Sequence, residues 1–313
     1  MNRHLNKMAR FVWRVSRNVV CALPGGTRLL FPANQLAQHF GRDDVDYAIT
    51  VFLHHARQLA ASGFGGGEVV FEAGPGRNLG SALLWWCRGV AEGYANPSVL
   101  LWDVHTNANP AATDFWQTLA QALLPVATTA AAAHPEISAP QLTVLQQVAD
   151  GAHQPNIRYL VCPLEALQAN LGAQKFELML SHAALEHVRM IEIFWKVATG
   201  LTAENGWHSH RIDLADHGRR ETNYIEMLEW SDWAWWATMR FIPGAINRWR
   251  ASEYLAVLQN HGLAIKSAVP ELRVALPVPR YALAARYRSL REEDLRTTAI
   301  DIVAKKVPSQ CAC

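Results

Sequence analysis

Short apolar runs and amphipathic stretches alternate along most of this chain. The runs over 69–71, 98–103, 156–161, 176–180 and 207–214 predict five strands. Helical periodicity fits 78–90, 115–124, 141–149 and 184–201, with an alanine-rich connection over 128–140. Upstream, 43–61 is helical, with Val45, Ile49, Phe52 and Leu53 apolar, and a glycine-rich break over 63–67 separates it from the first strand. The rhythm stops after 214, in a stretch rich in tryptophan, and then resumes. A helix over 252–260, a strand over 263–268, a helix over 292–297 and a final strand over 299–305 complete the chain. Strands alternating with helices predict an α/β fold, a mainly parallel sheet of seven strands covered by helices on both faces. No internal repeat is visible.

The pattern divides the chain into four parts: an N-terminal helical extension (1–62), a ligand-binding core (63–214), a tryptophan-rich helical lid or insertion (215–251), and a C-terminal completion of the sheet with a tail (252–313). In the extension, Arg3, Lys7, Arg10, Arg14 and Arg17 recur every three or four residues, so a helix carries them as one basic stripe, and the first acidic residue is Asp43. Such a helix can make peripheral contact with an anionic membrane surface, or pack on the main domain with its charges in water. The second reading is the one taken; a targeting peptide is a third.

Composition narrows the picture. The 313 residues are 50% hydrophobic and 18% charged, a globular balance, and the net charge of +2 gives no basis for nucleic-acid binding. No apolar run approaches the roughly 20 residues that span a bilayer. Cys21, Cys87, Cys162, Cys311 and Cys313 are scattered and suggest no disulfide framework, so a reducing cytoplasm is expected. Cys311 and Cys313 are expected in a loose tail.

The candidate chemistry begins at Val69-Val70-Phe71-Glu72-Ala73-Gly74-Pro75-Gly76. Strand, glycine turn and helix let a backbone approach a ligand closely, because glycine has no Cβ and accepts positive φ. The dinucleotide fingerprint G-x-G-x-x-G fails here: its third glycine falls on Leu79, and Gly80 is one residue late. The acidic residue followed by x-G-x-G resembles instead the first motif of class I S-adenosylmethionine-dependent methyltransferases, of the type 11-like group. Asn78 stands where that family often has a further glycine.

Further stretches resemble the family's landmarks in order. Val99-Leu100-Leu101-Trp102-Asp103 looks like the second strand with its terminal acid. Ile157 to Glu165 sits where the adenine-flanking segment belongs, with Cys162 where many members carry Asp. Phe176 to Val188 resembles the fourth strand and the S-x-x-x-L-E-H-V stretch. The resemblance covers 69–214 and implies a Rossmann-like methyltransferase fold with S-adenosylmethionine as cofactor. It implies that Glu72 meets the methionine part of the cofactor, above Gly74, Pro75 and Gly76. Asp103 and Val104 would lie at the ribose, Pro163 and Leu164 at the adenine, and Ser181 and His182 beside the cofactor. Glu186 and His187 are read as a helix N-terminal charge pair holding the loop.

Two clusters suggest the rest of the site. In His208-Ser209-His210-Arg211-Ile212-Asp213-Leu214-Ala215-Asp216-His217, alternate residues share a strand face. Asp213, Asp216 and His217 fall at or beyond the carboxyl end, where open α/β sheets bind ligands. The cluster can supply a general base, His210 first and then His217, with Asp213 beside them. It can also hold a metal, or merely tie the loop down. The base reading is carried forward and no metal is assigned. In the insertion, Trp230, Trp233 and Trp236, with Arg248, are read as walling the substrate, the alternative being lid packing or a homodimer surface. Together these imply a methyltransferase acting on oxygen or nitrogen of a small molecule or glycan. The competing readings are a nicotinamide-dependent oxidoreductase and a non-catalytic scaffold of the same fold.

Overall fold

A computed structural model describes residues 2–31, 42–77 and 79–308, so Asn78, Cys311 and Cys313 lie outside the described residues. The helices are α1 (Asn2–Ala22), α2 (Gly26–Leu30), α3 (Arg42–Ala61), α4 (Gly80–Ala91), α5 (Phe115–Ala131), α6 (Ala139–Ala149), α7 (Leu164–Leu171), α8 (Ile191–Leu201), α9 (Asp232–Met239), α10 (Ala251–Asn260) and α11 (Glu292–Arg296). The strands are β1 (Val69–Ala73), β2 (Ser98–Asp103), β3 (Ile157–Val161), β4 (Phe176–His182), β5 (Thr202–Asp213), β6 (Leu263–Leu272) and β7 (Thr297–Lys306).

They form one seven-stranded sheet in the order β3-β2-β1-β4-β5-β7-β6. β1 to β5 run parallel, and β7 runs antiparallel to both of its neighbours. The sheet is thus the Rossmann-like, mainly parallel one expected, with one reversed strand. Alternate side chains of each strand go to opposite faces. Val70, Val99 and Leu178 enter a core under α3, α4, α5 and α6. Phe71, Leu100 and Met179 enter a second core under α7, α8 and α10. Apolar groups on both faces are what a parallel sheet covered on both sides requires.

The sequence reading is corrected in several places. The helix expected over 115–124 continues to Ala131, through Pro125. A proline inside a helix removes one N–H bond, and the run of alanines, the best helix formers, sustains the remaining turns. The helix expected over 184–201 is instead a 3-10 turn, Leu185–His187, followed by α8. Asn247 Nδ2 donates to the carbonyls of Leu185 (2.9 Å) and Val188 (3.0 Å), groups that a continuous helix would use itself.

Of the basic stripe of α1, Arg10 and Arg14 face inward rather than into water, whereas Arg17 lies over the exposed Trp13 ring. Arg10 and Arg14 reach Glu226 at 2.8 and 3.3 Å, and the Glu226 side chain is only 5% exposed. Phe11 stacks on Trp230, and Asn18 donates to the Ala237 carbonyl. The outward side of α1 instead carries Met8, Val12, Trp13 and Val19, all exposed. α1 therefore packs on the segment after β5, whereas α3 contributes Val45, Phe52 and Leu59 to the main core.

Candidate active site

The strand order reverses at β1, which has β2 on one side and β4 on the other. Such a switch point opens a crevice at the carboxyl ends of the strands. Two adjoining cavities occupy it. One, of about 250 Å³, is lined by Asp44, Tyr47, Glu72, Pro75, Arg77 and His182 among others. The second, of about 610 Å³, is bordered by Trp102, Asp103, Val104, Pro163, Leu164 and His187 among others. Gly74, Gly76 and Ala183 line both.

The turn between them needs its glycines. Gly74 has φ +69°, and a Cβ there would lie 2.5 Å from that of Ala184; Gly76 has φ +67°. Both values belong to the left-handed region that side chains resist. The Gly74 amide donates to the Trp102 carbonyl at 2.8 Å, tying the turn to β2.

Glu72 is buried, and its Oε2 has no hydrogen-bond partner among the described residues. Removal from water, with no compensating donor, raises its carboxyl to about 7. Asp103, by contrast, is engaged. Its Oδ1 accepts the amides of Val104 (2.7 Å) and His105 (3.1 Å), and Oδ2 accepts Asn107 Nδ2 at 2.8 Å. It caps this turn while bordering the larger cavity. The Cys162 carbonyl accepts Trp102 Nε1 at 3.0 Å, so this segment is anchored to β2 and presents Pro163 and Leu164 to the cavity.

Ser181 and His210 are displaced from the expected roles. Ser181 is fully buried, and its Oγ pairs with His210 Nδ1 at 2.7 Å. His210 Nε2 pairs with His208 Nδ1 (3.1 Å), and His208 Nε2 with Thr202 Oγ1 (2.9 Å). This closed string occupies both ring nitrogens of His210 and borders neither cavity, so His210 is not placed to take a substrate proton. Burial holds His210 far below its ordinary range and His208 near 3, so both rings are neutral. A second string runs from Ser209 through His55 (2.8 Å) to His182 (3.3 Å), whose pKa is lowered to about 4, mainly by burial. His182 lines the smaller cavity.

At the end of β5, Asp213 and His217 come together. His217 Nε2 stands 3.3 Å from Asp213 Oδ2, an oxygen that Arg220 also holds. The His217 ring lies 5.1 Å from that of His187, which lines the larger cavity.

The expected tryptophan wall is not there. Trp230 is buried under Phe11 and Arg14 of α1. Trp233 and Trp236 are 68% and 54% exposed, and none of the three borders either cavity. The buried Arg248 donates to the carbonyls of Met227 and Trp230 and pairs with Asp232, so its fork is spent on the lid's own backbone. The insertion reaches the larger cavity through Pro243 and Gly244 instead. Asp44 and Tyr47 of α3 were not foreseen in the site. The only sequence signal was their helical spacing with Val51, which puts all three on one face.

No family model matches the chain, and no curated protein does. Solved structures do resemble it. An S-adenosylmethionine dependent methyltransferase from Mesorhizobium loti is 16% identical, with 80% of this chain and 96% of that one covered and a TM-score of 0.41. The YcgJ protein of Bacillus subtilis is 12% identical over 82% and 100% of the two chains, with a TM-score of 0.42. An O-methyltransferase family protein from Burkholderia thailandensis is 10% identical over 86% and 60%, with a TM-score of 0.38. Likenesses this remote carry no activity across, and the function has to be argued from the site.

Proposed function

We propose that this chain is an S-adenosylmethionine-dependent methyltransferase that modifies an oxygen or nitrogen of a small molecule or sugar. One observation carries the reading. The buried Glu72 carboxylate has an oxygen without a partner, beside a glycine turn shared by two cavities. A carboxylate withheld from water and left unpaired favours a cationic ligand. The ammonium of an amino acid is such a ligand, and the larger cavity falls in the roughly 300–1,000 Å³ range of small-ligand sites.

The residues fit the cofactor. Glu72 would hold the ammonium, Gly74 and Gly76 would let the backbone pass close beneath it, and Asp103 and Val104 would border the ribose. Pro163 and Leu164 would face the adenine. When bound, the cofactor supplies a methyl group activated on a sulfonium. The chain's own contribution is to position the acceptor, which can supply much of the rate, and to receive its proton. Asp213 is the group we assign to the proton, beside His217 and, through it, His187 at the cavity wall. Polar His105 beside apolar Val188 and Met190 suits a small polar acceptor. The free state of Cys21, Cys87 and Cys162 supports a reducing, cytoplasmic setting. The outward apolar row of α1, with Arg17 stacked 4.5 Å over Trp13, supports peripheral membrane contact, which vesicle co-sedimentation tests.

Calorimetric titration with S-adenosylhomocysteine is expected to show one site per chain, and absence of binding overturns the proposal. NAD in the parallel titration tests the oxidoreductase reading, which buried Leu79 at the third fingerprint position disfavours. Transfer of labelled methyl to hydroxyl and amine acceptors separates an enzyme from a scaffold that only binds.

A further inference from the structure

We propose that Glu186, His187 and His217 form a site for a borderline divalent cation, Zn²⁺ foremost, at the wall of the larger cavity. Each brings one donor atom, and these atoms lie within 4.8 Å of one another. Two imidazoles and one carboxylate are a donor set that suits Zn²⁺ or Fe²⁺ and leaves coordination positions open.

The second observation concerns Glu186 itself. Its side chain is 3% exposed, and neither carboxylate oxygen accepts a hydrogen bond from a described residue. His187 Nε2 stands 4.0 Å from Oε1, beyond hydrogen-bonding reach. A buried carboxylate without donors is costly, and a bound cation would remove that cost. A helix N-terminal role does not account for this, because the element is a three-residue turn that does not run on into α8.

The turn that carries two of the three residues is anchored. Asn247 donates its side-chain amide to Leu185 and Val188 and its backbone N–H to the Glu186 carbonyl at 2.7 Å, so the turn carrying Glu186 and His187 is fixed at both ends. Asp213 stands behind His217, and a carboxylate behind a ligating imidazole sets its tautomer and orientation. Of the three, His187 lines the cavity, so open positions on the ion would face a bound acceptor. That last consequence rests on the transferase reading; the binding itself does not.

The test uses the full chain, stripped with chelator and titrated with ZnCl₂ by calorimetry and with CoCl₂ by visible absorption. One equivalent per chain is expected, with the intense d–d bands of low-coordinate cobalt. Glu186→Gln and His217→Ala should each weaken Zn²⁺ binding about a hundredfold or more, and Asp213→Asn about tenfold. His153→Ala, remote and exposed, should leave it unchanged. His217 is 40% exposed, so its replacement leaves a folded protein even if Glu186→Gln does not. Wild-type protein that binds no stoichiometric metal overturns the site, as does binding that survives both Glu186→Gln and His217→Ala. Titration of the same samples with S-adenosylhomocysteine distinguishes this failure from failure of the cofactor proposal.

Discussion

The carboxyl end of β1 and the segment after β5 both lie near the larger cavity, and both are rich in groups that suggest chemistry. They use those groups in opposite ways. At β1, Glu72 is buried with an oxygen unpaired and the backbone held in left-handed turns. After β5, Arg248 donates to two carbonyls and a carboxylate, and Trp230 lies under α1. The first region keeps polar capacity in reserve at a cost in stability, whereas the second spends its capacity on its own packing. Residue type alone does not separate them; a buried carboxylate oxygen left unpaired at a cavity does.

The largest expected effect lies in the first region. Glu72→Gln should cost about 1.5–3 kcal/mol of S-adenosylhomocysteine affinity, roughly ten- to a hundredfold, as a charge-assisted contact does. The sign with pH follows from the raised carboxyl. The free protein holds Glu72 protonated below about 7, so affinity should rise as pH climbs through that range, with proton release on binding. Calorimetry in buffers of different ionisation enthalpy reads the proton directly. Affinity that is flat between pH 6 and 8 would remove Glu72 from the ammonium site.

The histidine strings offer a second contrast. His55, His182, His208 and His210 all have lowered pKa values in the fold, with burial the main cause. The unfolded chain therefore binds more protons on them below about 6.5, and stability should fall as pH drops from there. The raised carboxyls of Glu72 and Glu186 act in the opposite sense between about 4.5 and 7, but four rings outweigh two acids. Each unmatched proton is worth about 1.4 kcal/mol per pH unit. Denaturant melts between pH 7 and 5.5, with chelator present, should show the decline, and a stability that rises over that interval contradicts it.

Arg248→Ala tests the spent polarity of the second region. It leaves the Met227 and Trp230 carbonyls without their donor and should lower stability by about 1–3 kcal/mol. Cofactor affinity should hold within twofold, since the guanidinium borders neither cavity. A large loss of affinity with unchanged stability would return Arg248 to the site.

How much was legible follows the same division. The strands and the glycine turn could be read because local sequence decides them: apolar runs fix which faces are buried, and Gly74 and Gly76 answer a backbone demand. Strand β5 is expected from 207 and in the fold extends back to Thr202, but Glu204-Asn205-Gly206 keeps its turn chemistry: Asn205 takes φ +63° inside a bulge, and regular pairing with β4 resumes at Trp207. The alternation over 208–213 did place His208 and His210 on one face. It could not say that this face is closed, since Ser181 and Thr202, which complete the string, come from distant positions. The inward turn of α1 was equally hidden, because Arg10 and Arg14 find Glu226 more than 200 positions away.

The smallest expected effect is the sharpest test of the corrected lid. Trp233 and Trp236 are exposed and border neither cavity, so replacing either by alanine removes surface rather than site. Surface substitutions usually change stability by no more than about 0.5 kcal/mol. Trp233 also touches Phe11 at 5.9 Å between ring centroids, so Trp233→Ala should slightly loosen α1, read as faster amide exchange over 8–22. Trp236 lies under the Arg240 guanidinium instead, and Trp236→Ala should leave that exchange unchanged. Methyl transfer to any acceptor found for the wild type should keep its kcat/KM within twofold in both variants. A tenfold fall in Trp236→Ala, with cofactor affinity intact, would mean that the lid swings its exposed rings over the acceptor and that the two regions share one task.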